Sequence, residues 1–216
     1  MSARDNILNR IRAQSGRAGT TSSAELDAVR AHIAKRIRGP QPSITHDNPL
    51  ARFIRESDRL KSSVDEVDNL AQVPHAVAAY LRDHRLPTRV AGWPALAALD
   101  WSSAAIEYQN RLANADDLVG VTDCFCAIGE TGTLLLLSSP TTPKLHALLP
   151  ETHICVLSKS RIVATMEDAF QLLRDERGEL PRATFLVSGP SRTADIEQTI
   201  VIGAHGPYRV HVVLVP

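Results

Sequence analysis

The sequence predicts an α/β fold: a largely parallel sheet flanked by helices, preceded by an N-terminal helical hairpin. Three observations carry that expectation. Short runs such as TLLLLS (133–138), HICVL (153–157) and YRVHVVLV (208–215) are β-like and bounded by turn residues. They alternate with segments of helical period, the pattern of strands joined through crossover helices and covered on both faces. A stretch with three prolines, GPQPSITHDNP (39–49), separates this region from two earlier amphipathic segments.

The elements follow in order. Ser2 caps a first helix with Asp5 three residues on and Ile7, Leu8 and Ile11 as a narrow stripe. SGRAGTTSS breaks it, and a second helix opens at Ser22 with Glu25 and carries Leu26, Val29, Ile33 and Ile37 to Gly39-Pro40. We place a helical hairpin at 1–39, a linker at 40–49 and an α/β domain at 50–216. In that domain Leu50, Phe53, Ile54 and Leu60 mark a helix, Val64–Val67 a short strand, and Val77, Tyr80 and Leu81 a helix running to Pro87. TRVAGW is a strand, and 94–114 reads as weakly helical with a break near Trp101. The strands LVGVT, TLLLLS and HICVL follow, with a short helical piece from Lys144 to Leu149 before the last. Met166, Ala169, Phe170 and Leu173 define a helix with Glu167 and Asp168 in its first turn, where they complement the macrodipole, and Gly178 ends it. TFLVSG is a strand, ADIEQTIV a helix opened by Thr193, and YRVHVVLV the last strand.

Composition narrows the function classes. Lys+Arg and Asp+Glu both number 24, so the chain as a whole has no basic field of the kind that attracts nucleic acid. Residues 1–39 hold eight basic against three acidic residues, a local +5. That arm either docks on an acidic partner or on the body of its own chain, or presents a solvated face; exposed hairpins also serve self-association. Three scattered cysteines make no disulfide framework, and no apolar leader is evident, so the expected compartment is the cytoplasm. No window approaches the roughly 18 apolar residues of a membrane span. Cys124 and Cys126 lack the repeated spacing of zinc or iron–sulfur sites, no histidine pair has a metal spacing, and there is no flavin or nicotinamide fingerprint. No metal and no cofactor are therefore expected.

Three turns are candidates for chemistry. In CAIGETGTLLL (126–136), Glu130 sits between glycines just before a buried run. Either it faces a cleft as base, nucleophile or hydroxyl clamp, with Thr131, Gly132 and Thr133 beside it, or it is satisfied inside its own turn. In SGPSRTADIE (188–197), Ser191, Arg192 and Thr193 gather hydroxyls and a guanidinium at an expected helix start, with Asp195 and Glu197 following. This is an anion site in outline, suited to a small monocarboxylate rather than a phosphate, or else ordinary capping. In GAHGP (203–207), His205 beside Gly206 either moves a proton or bonds a loop carbonyl.

Taken together, GVTDCFCAIGETGTLLL, LLPETHICVL, SGPSRTADIE and GAHGPYRVHVVLV, in this order, resemble the lactate-utilisation protein C family, built on the LUD domain. The resemblance runs from about residue 50 to the C-terminus, and the opening ARDNILNRIR fits it too. It implies a fold like that of the sugar-phosphate isomerases and CoA transferases. It also implies a non-autonomous part in oxidising L-lactate to pyruvate, beside two cytoplasmic sister proteins similar to iron–sulfur oxidoreductases that carry the electrons. Recurring family positions correspond to Glu130, Thr131, Gly132, Thr133, Ser191, Asp195, Glu197, His205 and Gly206. Two other expectations stay open: a self-sufficient CoA transferase-like or isomerase-like enzyme using Glu130, and a structural adaptor recruiting its partner through the basic hairpin.

Overall fold

A computed structural model describes residues 2–16, 21–41, 48–194 and 200–216 of the 216-residue chain. The chain divides into two compact units, Met1–Ser43 and Ile44–Pro216. The first contains helices α1 (Ala3–Gln14) and α2 (Ser23–Ala34). Each opens with the capping box read from the sequence. Asp5 N–H donates to Ser2 Oγ at 3.2 Å while Ser2 N–H donates back to the Asp5 carboxylate at 3.0 Å, and Ser22 and Glu25 repeat the pattern. Neither helix buries a residue, so the stripe Leu26, Val29, Ile33 and Ile37 is exposed.

The second unit is built on six parallel strands. In chain order it contains α3 (Pro49–Arg59), β1 (Ser63–Glu66), α4 (Val73–Asp83), β2 (Arg89–Gly92), β3 (Glu107–Gln109) and β4 (Val119–Asp123). Then come β5 (Cys126–Ile128), β6 (Thr133–Leu137), α5 (Leu145–Leu148), β7 (Thr152–Ser158), β8 (Ile162–Val163) and α6 (Met166–Arg177). The last elements are β9 (Thr184–Val187), β10 (Arg192–Ala194), β11 (Ile200–Ile202) and β12 (Arg209–Val215). The main sheet has the order β1-β12-β7-β4-β2-β3, all pairs parallel. This is the largely parallel sheet that the apolar runs predict.

Its two faces are covered differently. On one, Val73, Val77, Tyr80 and Leu81 of α4 pack with Trp101 on Val121, Ile154, Val156 and Val213. On the other, Cys155, Leu157, Val212 and Leu214 meet Phe53 of α3 and a second sheet, order β8-β5-β6-β9, through Ala127, Leu134 and Leu136. That second sheet shows its far side to α6, where Cys126, Ile128 and Leu135 cover Ala169. TLLLL is thus buried on both faces because it lies between a sheet and a helix.

Two segments differ from the reading of the sequence. Residues 94–114 contain two short 3-10 turns, Pro94–Leu96 and Ser102–Ala104, and then β3. Trp101 Nε1–H donates to the Leu96 carbonyl at 2.8 Å and ties the turns together, and the Val90–Tyr108 register draws the rest into the sheet edge. The helix expected from Thr193 is replaced, over its described residues, by an antiparallel pair: Arg192–Ala194 faces Ile200–Ile202. Thr193, Val201 and Ile202 are β-branched and suit a strand once a partner strand is in reach.

Phe53 is fully buried beneath the second sheet, whereas Leu180 lies on a loop with 66% of its surface exposed. Urea unfolding is expected to show Phe53→Ala losing about 3–5 kcal/mol and Leu180→Ala staying within about 0.5 kcal/mol of the native chain.

Candidate functional site

Glu130 lies in the turn joining β5 to β6. The turn is possible because Gly132 takes φ +61° and lies so close to α3 that a Cβ would stand 2.8 Å from backbone atoms of Glu56 and Ser57. The Glu130 N–H donates to the Ala164 carbonyl at 3.0 Å, and its carboxylate accepts the Met166 N–H at 2.8 Å. The charge therefore sits at the amino end of α6, next to the capping box of Thr165 and Asp168. Orphan N–H groups and the positive end of the macrodipole stabilise a carboxylate there. Thr131 and Thr133 pair through their hydroxyls at 2.8 Å, and Thr133 continues to Ser188 Oγ at 2.7 Å.

The second and third turns are joined to each other by backbone. Ser191 N–H donates to the Pro207 carbonyl at 2.9 Å, and Gly203 N–H donates to the Ser191 carbonyl at 2.9 Å. Gly206 is seated against Ser191, where a Cβ would approach the serine side chain to 3.2 Å. Arg192 is exposed and donates to the Leu60 carbonyl at 2.8 Å. Thr193 pairs with Val201 inside the β10–β11 hairpin and so opens no helix. His205 is exposed. Asp195 and Glu197 lie outside the described residues. The structure thus links Thr131, Thr133 and Ser188 in one chain of hydroxyls, and Ser191 with Gly206. Among the described residues no hydrogen bond joins Glu130 to Arg192 or His205.

A larger cavity, about 610 Å³, lies elsewhere, at the carboxyl rim of the parallel sheet. Trp93 follows β2, Asp123 ends β4, and Cys124 and Phe125 continue from it; Arg161 and Glu176 form the far wall. Phe125 and Leu137 stand at the open end of the β5–β6 hairpin, so the Glu130 turn is at the hairpin's opposite end. Ligands of open parallel sheets gather outside the carboxyl ends of the strands. Arg161 is fixed three ways: Nη1 and Nη2 donate to the two Glu176 oxygens at 2.5 and 3.0 Å, Nε donates to the Phe125 carbonyl at 2.8 Å, and the guanidinium lies 4.6 Å from the Phe125 ring centre. Trp93 is anchored by Nε1–H donating to the Pro143 carbonyl at 3.1 Å.

Burial raises the Asp123 carboxyl above the ordinary aspartate range, which makes it a better proton acceptor than a surface carboxylate. The thiols are the reverse of activated. A hydrogen bond with Cys155, then burial, lifts Cys124 well above the usual thiol value, and burial pushes Cys126 up to about 12. Among the described residues no cluster of three His, Cys, Asp or Glu side chains is arranged to hold a metal ion. Asp123 lines this cavity but is not singled out by the sequence, where TDCFC draws attention to its sulfurs. The signal was present all the same: an acid placed directly after a strand, LVGVT, of a parallel sheet.

The LUD domain family profile matches residues 50–215, and the chain belongs to that family. It is similar to an uncharacterized protein of Neisseria meningitidis, 40% identical over 88 residues that make up 41% of this chain and 38% of that one. A protein of Exiguobacterium named Lactate utilization protein C is 37% identical over 118 residues, 53% of this chain and 51% of the relative. The protein of that name from Geobacillus kaustophilus is 29% identical over 222 residues, 99% of this chain and 80% of its own length. In most of these matches the aligned part spans about half of the relative or less. Among solved structures, a DUF162 family protein from Deinococcus radiodurans superposes with a TM-score of 0.60 at 23% identity, covering 80% of this chain and 99% of that one, a likeness of fold.

Two substitutions separate the sites. Glu130→Gln removes a charge from the α6 terminus and is expected to lower the unfolding free energy by about 0.3–2 kcal/mol. Asp123→Asn should act in the other direction. A carboxyl whose folded pKa stands above its unfolded value contributes stability that is complete below the unfolded pKa and is lost as pH rises through the folded one. Thermal melts should therefore find Asp123→Asn more stable than the native chain at pH 8, with the difference shrinking as pH falls towards about 4.

Proposed function

We propose that this chain is a component of a multi-protein system that oxidises L-lactate to pyruvate, working in the cytoplasm without a redox centre of its own beside two iron–sulfur-type partner proteins. Membership of the LUD domain family and relatives named Lactate utilization protein C support a part in lactate utilisation. Among the described residues no helix is long and apolar enough to cross a membrane.

The observation that carries the chemical reading is Asp123: a carboxyl at the end of a central strand, lining the larger cavity, with its proton affinity raised by burial. Oxidising a 2-hydroxy acid to the keto acid removes one proton from the hydroxyl and, from the carbon, a second proton with two electrons. In this reading Asp123 takes the hydroxyl proton and Arg177 holds the substrate carboxylate within the cavity, while the partner proteins would supply the acceptor for the carbon-bound proton and the two electrons. Glu130 and the hydroxyl chain of Thr131 and Thr133 shape the second sheet and the start of α6. The exposed apolar stripe of α2 offers a surface for the partners or for a second copy of the chain.

Reconstitution with the two partner proteins tests the reading, with lactate-dependent reduction of an electron acceptor as the readout. Removing a general base costs roughly 10²–10⁴ in rate, so the assembly carrying Asp123→Asn is expected to lose at least about a hundredfold in kcat while still co-purifying. Equal rates with the native chain, the variant or no chain at all would take this protein out of the chemistry.

A further inference from the structure

Arg192 lines a second and smaller cleft, about 340 Å³, at the amino rim of the main sheet. The ends of β1 and β12, the carboxyl end of α4 and the β10–β11 hairpin enclose it, and Lys61, Ser63, Tyr80, His84, Arg192 and Arg209 carry its polar lining. Its charge is unlike that of the larger cavity. There, three acids, Asp123, Glu176 and Glu179, outnumber Arg161 and Arg177. Here Lys61, just past α3, Arg192 of β10 and Arg209 of β12 supply the charge, and no aspartate or glutamate is among the lining residues.

The neighbouring acids set how much of that charge is already answered. Glu151 accepts from Arg209 Nη1 at 2.6 Å and neutralises one cation. Asp65 stands 3.8 Å from His211 Nε2 and faces that ring. Arg192 is positioned by a neutral carbonyl, that of Leu60, which leaves its charge uncompensated by that bond. Among the described residues no acid answers the charges of Lys61 and Arg192, which stand over a cleft of small-molecule size.

The floor is rigid. His84 stacks on Tyr80 and Tyr80 on His211, each at 4.0 Å between ring centres. The His211 ring is 1% exposed, and its Nδ1 bonds the Ser63 hydroxyl at 2.9 Å, so a buried imidazole fixes the one hydroxyl that lines the cleft from β1. Burial holds that imidazole neutral, with its pKa lowered to about 4, so the His211 ring adds no charge of its own at neutral pH.

We propose that this cleft is a binding site for a small organic dianion, a dicarboxylate or a phosphate monoester, separate from the carboxyl-rim cavity. Lys61 and Arg192 match its two charges, the guanidinium fork takes two of its oxygens, and the Ser63 hydroxyl orients it. The site does not depend on the lactate reading, because it shares no residue with the larger cavity.

Titration calorimetry of the full chain at pH 8 tests it, with malonate and inorganic phosphate as the two dianion probes and L-lactate as the monoanion. The expected result is one saturable site for at least one dianion, weakened at least about tenfold by Arg192→Gln and by Lys61→Gln, and unchanged by Arg177→Gln in the other cavity. Which probe binds more tightly assigns the carboxylate or the phosphate source. Lys61 is exposed, so if Arg192→Gln disturbs the hairpin, Lys61→Gln decides the outcome alone. The proposal is overturned if neither dianion saturates in the millimolar range, if Lys61→Gln binds as the native chain does, or if lactate binds this cleft more tightly than both dianions.

Discussion

The seven-residue parallel pairing of β12 with β7, from Arg209–Thr152 to Val215–Ser158, is the constraint on which the rest of the second unit depends. Both strands are internal to the main sheet and buried on both faces, so every backbone group along them needs a neighbouring strand and every side chain an apolar layer. The α4 layer supplies one cover and the second sheet the other. The cost shows in the polar residues that remain inside. His153 is fully buried and is held neutral, its pKa lowered to about 4 by burial, with Nε2 bonded to Thr122 Oγ1 at 2.8 Å. Because all strands of this sheet run one way, it has a carboxyl rim and an amino rim of different chemistry.

The two concavities sit on those opposite rims. At the carboxyl rim Asp123 ends β4 and lines one cavity with a guanidinium already fixed by Glu176, and acids prevail. At the amino rim three basic side chains meet over a stacked aromatic floor. The β5–β6 hairpin explains why the most conspicuous motif of the sequence belongs to neither: its open end borders the larger cavity, and its closed end turns Glu130 onto α6. A charge entering a buried strand is tolerated because it settles on a helix terminus.

What the sequence disclosed was local. The capping boxes of Ser2 and Ser22, the acidic first turn of α6 and the continuous apolar runs of β6, β7 and β12 depend on residues within a few positions, and they fold as their spacing predicts. What stayed hidden depends on distant partners. The Met166 N–H that holds Glu130 lies 36 residues away, and the Ser188 hydroxyl that bonds Thr133 lies 55 away. Thr193 carries the local marks of a helix cap, and pairing with Val201 overrides them. Asp123 was legible as the end of a strand, but not as one wall of a cavity whose other wall, Arg161 and Glu176, is assembled by the fold.

The central claim is that a half-buried carboxyl at the carboxyl rim is poised to take a proton from a small hydroxy acid. Carbon-detected NMR titration of the Asp123 carboxyl, with and without L-lactate, addresses it most directly. The account predicts a midpoint above the ordinary aspartate value of about 3.9, displaced further upward when the lactate anion enters the cavity beside it. A carboxyl titrating at the ordinary value and indifferent to lactate would contradict it.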